Sequence, residues 1–283
     1  MEATMSSGIG ARALSPMTGF EVTGVDVSRS FDAAMVAALE EIWFRTGVIL
    51  FRDQVISEDE QVRFASYFGE PSMRLLNRHD GTSKHHPGVM FISNIRENGQ
   101  LIGALPDGEM MFHSDQCYIE RPAMASMLYA IEIPSKGGNT LFGNMYAAWD
   151  ALSPAMQSRL LGLRAMNVYD YGANPTQRGE VTADALQQAH PVVRTHPRTG
   201  RRALYINRLM THYIVDMPRA ESDALLAELF DHLENPAWVY EHVWRPGDLL
   251  MWDNRCTVHA RSDFDASERR LMRRCTVLGD VPV

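Results

Sequence analysis

A chain of 283 residues, 45% of them hydrophobic, is long enough to bury a substantial core. Its formal net charge of -8 leaves no basic footprint for nucleic acid, and no apolar run approaches the roughly 20 residues of a membrane helix, so a small-molecule partner is expected. Cys117, Cys256 and Cys275 show no CxxC spacing and residues 1–20 lack an export signal's basic start and apolar core, which together point to the reduced cytoplasm.

Met35, Leu39, Ile42 and Trp43 recur at helical spacing and Gly47 stops that helix, after which the apolar run Val48 to Phe51 reads as a buried strand. Ser57 and Glu60 form a capping box for a second helix ending near Gly69. Between residues 70 and 108 the pattern is irregular. Asn77, Arg78, His79, His85 and His86 are broken only by a strand-like run, Val89 to Ser93, and long irregular segments of this kind serve as lids or substrate loops.

Downstream, the residue pattern predicts short strands over Met124 to Ile133, Thr140 to Phe142, Val192 to Thr195, Ala203 to Ile206, Trp238 to Arg245 and Asp248 to Trp252. Helices are predicted over Met145 to Leu163 and Ala220 to Leu233. With no linker, repeat or phosphate-cradling glycine loop, residues 1–283 read as one domain. The expected class is mainly β with helical insertions, a β-sandwich or jelly roll.

His113-Ser114-Asp115 is the first chemical cluster: in an extended segment residues i and i+2 share a face, so imidazole and carboxylate converge. His259, following the strand over 248–252 and the turn-like Asp253-Asn254, supplies a third ligand. Two imidazoles and one carboxylate form the facial triad of iron(II) oxygenases, although zinc accepts the same set. Residues 269–274 read as a strand with Arg270, Met272 and Arg274 on one face, away from Arg269 and Arg273. An inward arginine demands an acidic partner, either a protein carboxylate such as Asp248, Asp253 or Asp263, or a ligand.

With these residues placed, the chain resembles the taurine dioxygenase and 2,4-dichlorophenoxyacetate dioxygenase family of Fe(II)- and 2-oxoglutarate-dependent oxygenases. The likeness runs from residues 21–26 and 47–54 through His113-Ser114-Asp115, Gly137-Gly138-Asn139-Thr140 and 193–197 to 247–255, His259 and the arginine strand. The resemblance implies a double-stranded β-helix (jelly roll, cupin-like) in which His113, Asp115 and His259 hold iron. It further implies that Thr140 and Arg270 bind the distal carboxylate of 2-oxoglutarate and that Arg274 receives the acidic group of a small carboxylate or sulfonate substrate. Hydroxylation would then consume O₂ and release succinate and CO₂, in an enzyme that commonly forms dimers or tetramers.

Residues 105–112 depart from the taurine enzyme's pattern and Gln116-Cys117-Tyr118 from the phenoxyacetate enzyme's, so neither substrate is implied. Asp115 argues against a halogenase, which gives up the carboxylate to halide. Two other readings compete: a zinc-dependent hydrolase, for which no general base is marked, and a cupin-like metal-binding or sensor protein, which has no use for Thr140 and Arg270.

Overall fold

The computed structural model describes residues 3–4, 9–73, 85–104, 108–169 and 184–283. Its organising element is a strand with no solvent face: all four residues of Val48–Phe51 are buried. Successive side chains of a strand point to opposite sides, so Val48 and Leu50 pack one way and Ile49 and Phe51 the other. The antiparallel neighbour Leu249–Asp253 divides identically, with Leu250 and Trp252 on the first side and Leu249 and Met251 on the second.

These strands are the middle of an eight-stranded sheet ordered Ala3–Thr4, Gly10–Ala13, Phe20–Thr23, Val48–Phe51, Leu249–Asp253, Ala123–Glu132, Leu271–Leu278, Met90–Ser93. Every pairing is antiparallel except that of Phe20–Thr23 with Val48–Phe51. The outer face is covered by the helices Ala33–Thr46 and Glu58–Ser66, through Leu39, Ile42, Trp43, Phe64 and Ala65. Local chemistry sets the limits of both helices. Asp32 caps the first by accepting from Met35 N, and Gly47, at φ 77°, closes it in a left-handed turn. Ser57 and Glu60 make the reciprocal capping box of the second, which ends at Ser66, short of Gly69.

The inner face meets a four-stranded antiparallel sheet, ordered Val239–His242, Thr140–Asn144, Thr257–Arg261, Met110–His113. Phe142 of this second sheet packs with Leu128, Leu250, Trp252 and Met272 of the first. A third, three-stranded sheet, Gln187–Pro191, Arg164–Val168 and Thr211–Ile214, shares a separate core with the helix Arg219–Leu233. The protein is thus mainly β with helices outside. The helix expected over Met145 to Leu163 is two, Met145–Asp150 and Pro154–Leu160. Pro154 has no N–H to continue the first, and with Ser153 as N-cap it starts the second.

The turn joining the strands Leu249–Asp253 and Thr257–Arg261 carries the chain from one sheet to the other, and a buried ion pair holds it. Asp253 is fully buried and takes Arg255 in a two-pronged contact, Nε to Oδ1 at 2.8 Å and Nη2 to Oδ2 at 2.7 Å. His196 Nε2 donates to Oδ2 at 2.9 Å, and the Asp253 carbonyl accepts from Thr257 Oγ1 at 2.7 Å. Burial alone would raise the Asp253 pKa, but Arg255 and His196 hold it well below the usual carboxylate range. Asp253→Ala, which leaves Arg255 buried without its acid, is expected to cost about 3–5 kcal/mol in equilibrium urea unfolding. Glu40→Gln, at the surface partner of Arg198, should cost less than about 1 kcal/mol.

Candidate active site between the two sheets

His113 ends the strand Met110–His113, and His259 is its cross-strand partner at the centre of Thr257–Arg261. The pairing brings their ring centroids to 4.0 Å. Asp115 joins them differently from the expected two-residue alternation, because the strand stops at His113 and the chain turns, with Gln116 at φ 60°. Asn254 anchors this turn: its carbonyl accepts from Ser114 Oγ at 2.9 Å and its Oδ1 accepts from the Asp115 N–H at 3.2 Å. Ser126, on the inner face of the larger sheet, donates to Asp115 Oδ2 at 2.6 Å and accepts from Asn254 Nδ2 at 3.1 Å.

Asp115 Oδ1 lies 4.0 Å from His113 Nε2, and Oδ2 lies 3.9 Å from His259 Nε2. These separations are too long for hydrogen bonds and short enough for the three atoms to share one ion. His113 Nδ1–H donates to the Met111 carbonyl at 2.9 Å, which leaves the Nε2 lone pair facing Asp115. Burial pushes both imidazoles below their ordinary pKa of 6.5, His259 furthest, so at neutral pH both are uncharged donors. Burial would raise the Asp115 pKa, yet Arg274 and the two histidines hold it well below the carboxylate norm. Two neutral nitrogens and one anionic oxygen suit a divalent ion.

A second group, His196, Asp253 and Cys256, also brings ligand-type atoms together. Its hydrogen bonds exclude a metal role. His196 Nδ1 accepts from the backbone N–H groups of Arg198 and Thr199, so Nε2 carries the proton it donates to Asp253, whose two oxygens are engaged by Arg255.

Met272 packs in the core between the sheets, while the Arg273 guanidinium lies over the Tyr129 ring and Arg269 pairs with Glu132 at the surface. Arg270 is 1% exposed, and among the described residues its side chain makes one hydrogen bond, from Nη2 to the Gly138 carbonyl at 3.4 Å. Nε and Nη1 have no partner among the described residues. None of the three acids named as possible partners pairs with it: Asp248 Oδ2 holds Arg52 at 2.7 Å and His242 at 3.0 Å, Asp253 holds Arg255, and Asp263 Oδ1 accepts from the Phe264 N–H at 2.8 Å. Burial, with Arg261 nearby, lowers the Arg270 pKa to about 9, which still leaves it charged at neutrality. A Cβ on Gly138 would stand 3.4 Å from Arg270 Nε, so the glycine leaves room beside the guanidinium. Such a charge is costly unless an anion comes to it.

Thr140 is 3% exposed and its Oγ1 accepts from Trp244 Nε1 at 3.0 Å. Arg274 Nη1 lies 3.4 Å from Asp115 Oδ1 and Nη2 3.6 Å from Met90 Sδ, with a fifth of the side chain exposed. Trp252 lies beneath the triad, its ring 4.7 Å from that of His259, and Asp253 and Asn254 shape the turn while also binding through their side chains. The sequence reading missed Ser126, Asn254 as the anchor of Asp115, and Trp244. The Trp252-Asp253-Asn254 run gave a signal for Asn254 alone.

Two packed β-sheets with a His, Asp, His cluster that could hold a metal ion, and a buried arginine with no acid among the described residues, form a candidate metal-binding active site. Residues 11–276 match the family described as taurine catabolism dioxygenase TauD, TfdA family, and the chain belongs to that family. It is 34% identical to an alpha-ketoglutarate-dependent 2,4-dichlorophenoxyacetate dioxygenase of Cupriavidus pinatubonensis, across 96% of this chain and 99% of the relative. It is 37% identical to a pentalenolactone F synthase of Streptomyces arenae, across 86% of this chain and 87% of that one. The crystal structure of AAD-2 in complex with Mn(II) and N-oxalylglycine is similar with a TM-score of 0.82 at 30% identity, covering 97% of this chain and 98% of that one. The protein is accordingly a 2-oxoglutarate-dependent non-haem iron dioxygenase, working with Fe(II), 2-oxoglutarate and O₂.

The buried imidazoles carry a pH signature. Burial holds His113, His190 and His259 below 6.5, His190 at about 4, so as the medium acidifies the unfolded chain takes up protons that the folded chain refuses. Their contribution to stability is complete above pH 6.5 and drains as pH falls. Urea unfolding at about pH 7.5 and about pH 5 should show lower stability at the acid end, with a smaller difference in His190→Gln.

Proposed function

We propose that His113, Asp115 and His259 hold the Fe(II), that Thr140 and Arg270 hold the distal carboxylate of 2-oxoglutarate, and that Arg274 receives the acidic group of a small carboxylate or sulfonate substrate. That substrate is hydroxylated while 2-oxoglutarate becomes succinate and CO₂. The observation that carries this reading is Arg270, a guanidinium 1% exposed with two nitrogens unpartnered among the described residues. Charge neutrality follows when the anion is 2-oxoglutarate: the divalent ion and Arg270 together offset Asp115 and the cosubstrate's two carboxylates. Arg274 then remains for the substrate, and its partial exposure leaves it open to one. N-oxalylglycine, bound in the related AAD-2 structure, carries two carboxylates at the spacing of 2-oxoglutarate.

Bound iron supplies the O₂ activation that couples decarboxylation to hydroxylation, and the protein supplies position and dryness. Asp115, held by Ser126 and Asn254, presents a carboxylate of fixed orientation. Trp252 and Phe142 wall off His259 from solvent. Arg274 sets the distance between the substrate's acidic end and the triad.

The pairing of two sheets about this site supports a double-stranded β-helix, and the continuous family match supports one domain over residues 1–283. The segment 70–108 is the lid or substrate loop in this reading. Its described part places Met90 against Arg274, while Asn77, Arg78, His79 and residues 105–107 lie outside the described residues. No described helix is long and apolar enough to cross a membrane. The three free, buried cysteines support a cytoplasmic enzyme, and assembly as a dimer or tetramer completes the proposal.

Anaerobic addition of Fe(II) and 2-oxoglutarate should give a visible metal-to-ligand charge-transfer band that Asp115→Ala abolishes. Tight zinc binding with no such band and ester hydrolysis without 2-oxoglutarate would overturn the assignment. The two arginines should fail differently. Arg270→Ala removes a buried charge-assisted pair and should weaken 2-oxoglutarate by roughly tens to thousands of fold. Arg274→Ala should keep the band and form succinate without matching product. Equal loss of 2-oxoglutarate binding in both variants contradicts this division.

A further inference from the structure

The Thr140 hydroxyl has one proton, and its usefulness to a carboxylate depends on where that proton points. An indole N–H donates and never accepts, so the 3.0 Å contact from Trp244 Nε1 occupies a lone pair of Thr140 Oγ1. The Thr140 proton is thereby directed elsewhere, and no described protein acceptor takes it. Thr140 is two residues from Gly138, against which the Arg270 guanidinium lies.

Trp244 is itself firmly held. It is 4% exposed and packs with Phe142, Leu250 and Trp252 between the sheets. Its ring stands perpendicular to that of His242, with centroids 4.5 Å apart. His242 pairs with Thr140 across the strands and donates from Nε2 to Asp248 Oδ2 at 3.0 Å, while Tyr240 OH meets its Nδ1 at 3.0 Å. Asp248 is fixed in turn by Arg52 Nη1 at 2.7 Å and by the Arg245 backbone N–H at 2.9 Å. A continuous set of contacts therefore runs from Arg52 through Asp248, His242 and Trp244 to one hydroxyl.

We propose that Trp244 is a positioning residue for 2-oxoglutarate: its indole N–H locks the Thr140 hydroxyl as a donor, so that Thr140 and Arg270 address the same distal carboxylate. The proposal rests on the assignment of that carboxylate to Thr140 and Arg270. It separates two properties of a buried tryptophan, bulk and N–H, and assigns the effect to the N–H.

Calorimetric titration of the Mn(II)-loaded protein under nitrogen reads binding without turnover. Trp244→Phe keeps an aromatic ring and should weaken 2-oxoglutarate by about 5- to 30-fold, as should Thr140→Val. The double variant should lose no more than Thr140→Val alone, because the indole acts through the hydroxyl. 2-Oxovalerate, which has the 2-oxo acid but a methyl in place of the distal carboxylate, should bind all four proteins equally. Additive losses, or equal weakening of both ligands, would make Trp244 a packing residue and overturn the proposal. Should Trp244→Phe not fold, Thr140→Val decides through the indole N–H resonances of the five tryptophans. One must move when its acceptor is removed, and none moving overturns the proposal. Wild-type protein that binds 2-oxoglutarate no better than 2-oxovalerate sinks the parent assignment instead, and this one with it.

Discussion

The strands at the centre of this protein have no face left for water. Val48–Phe51 and Leu249–Asp253 are buried along their whole length, so alternation assigns every other side chain to the helices and the rest to the space between the sheets. A one-residue slip would exchange the two sets and send Trp252 into the helical layer. The position of His259 follows from this register, since the strand that carries it begins directly after the three-residue turn 254–256 that Asp253 and Arg255 brace.

Charge is distributed under the same constraint. Asp248 and Asp253 are buried, and each already holds an arginine and an imidazole N–H, Arg52 and His242 for the first, Arg255 and His196 for the second. Arg270 is left on the inner face with a backbone carbonyl and, among the described residues, no acid. The contrast between satisfied and unsatisfied buried arginines separates Arg255, which fastens the fold, from Arg270, to which the proposed function assigns a carboxylate.

The sequence showed its chemistry better than its scaffolding. His113, Asp115 and His259 stood out as ligand-type residues, and Arg270 and Arg274 as arginines on the inward face of a strand, whereas Thr140 read as an ordinary strand threonine and was raised only by the family resemblance. The strands Arg164–Val168, Gln187–Pro191 and Thr211–Ile214 were not, because half or more of their residues are polar or small and they form a sheet of their own with no continuous apolar run. Asp115 reached the triad by a turn, which two-residue alternation does not describe. Ser126 and Trp244 were invisible for a further reason: Ser126 links Asp115 to Asn254, 128 residues along the chain from it, and Trp244 meets Thr140, 104 residues away. Only tertiary register brings such pairs together.

The triad draws on both layers. His113 and His259 belong to the smaller sheet, whereas Asp115 is gripped by Ser126 and Arg274 of the larger one. In the proposed assignment a cation seated among them would act as a rivet through the sandwich, tying the sheets where polar side chains interrupt the apolar packing between them. On that assignment mechanical cohesion and catalytic competence would be fastened by the same three side chains, and a protein stripped of its cation would lose a seam as well as a reagent.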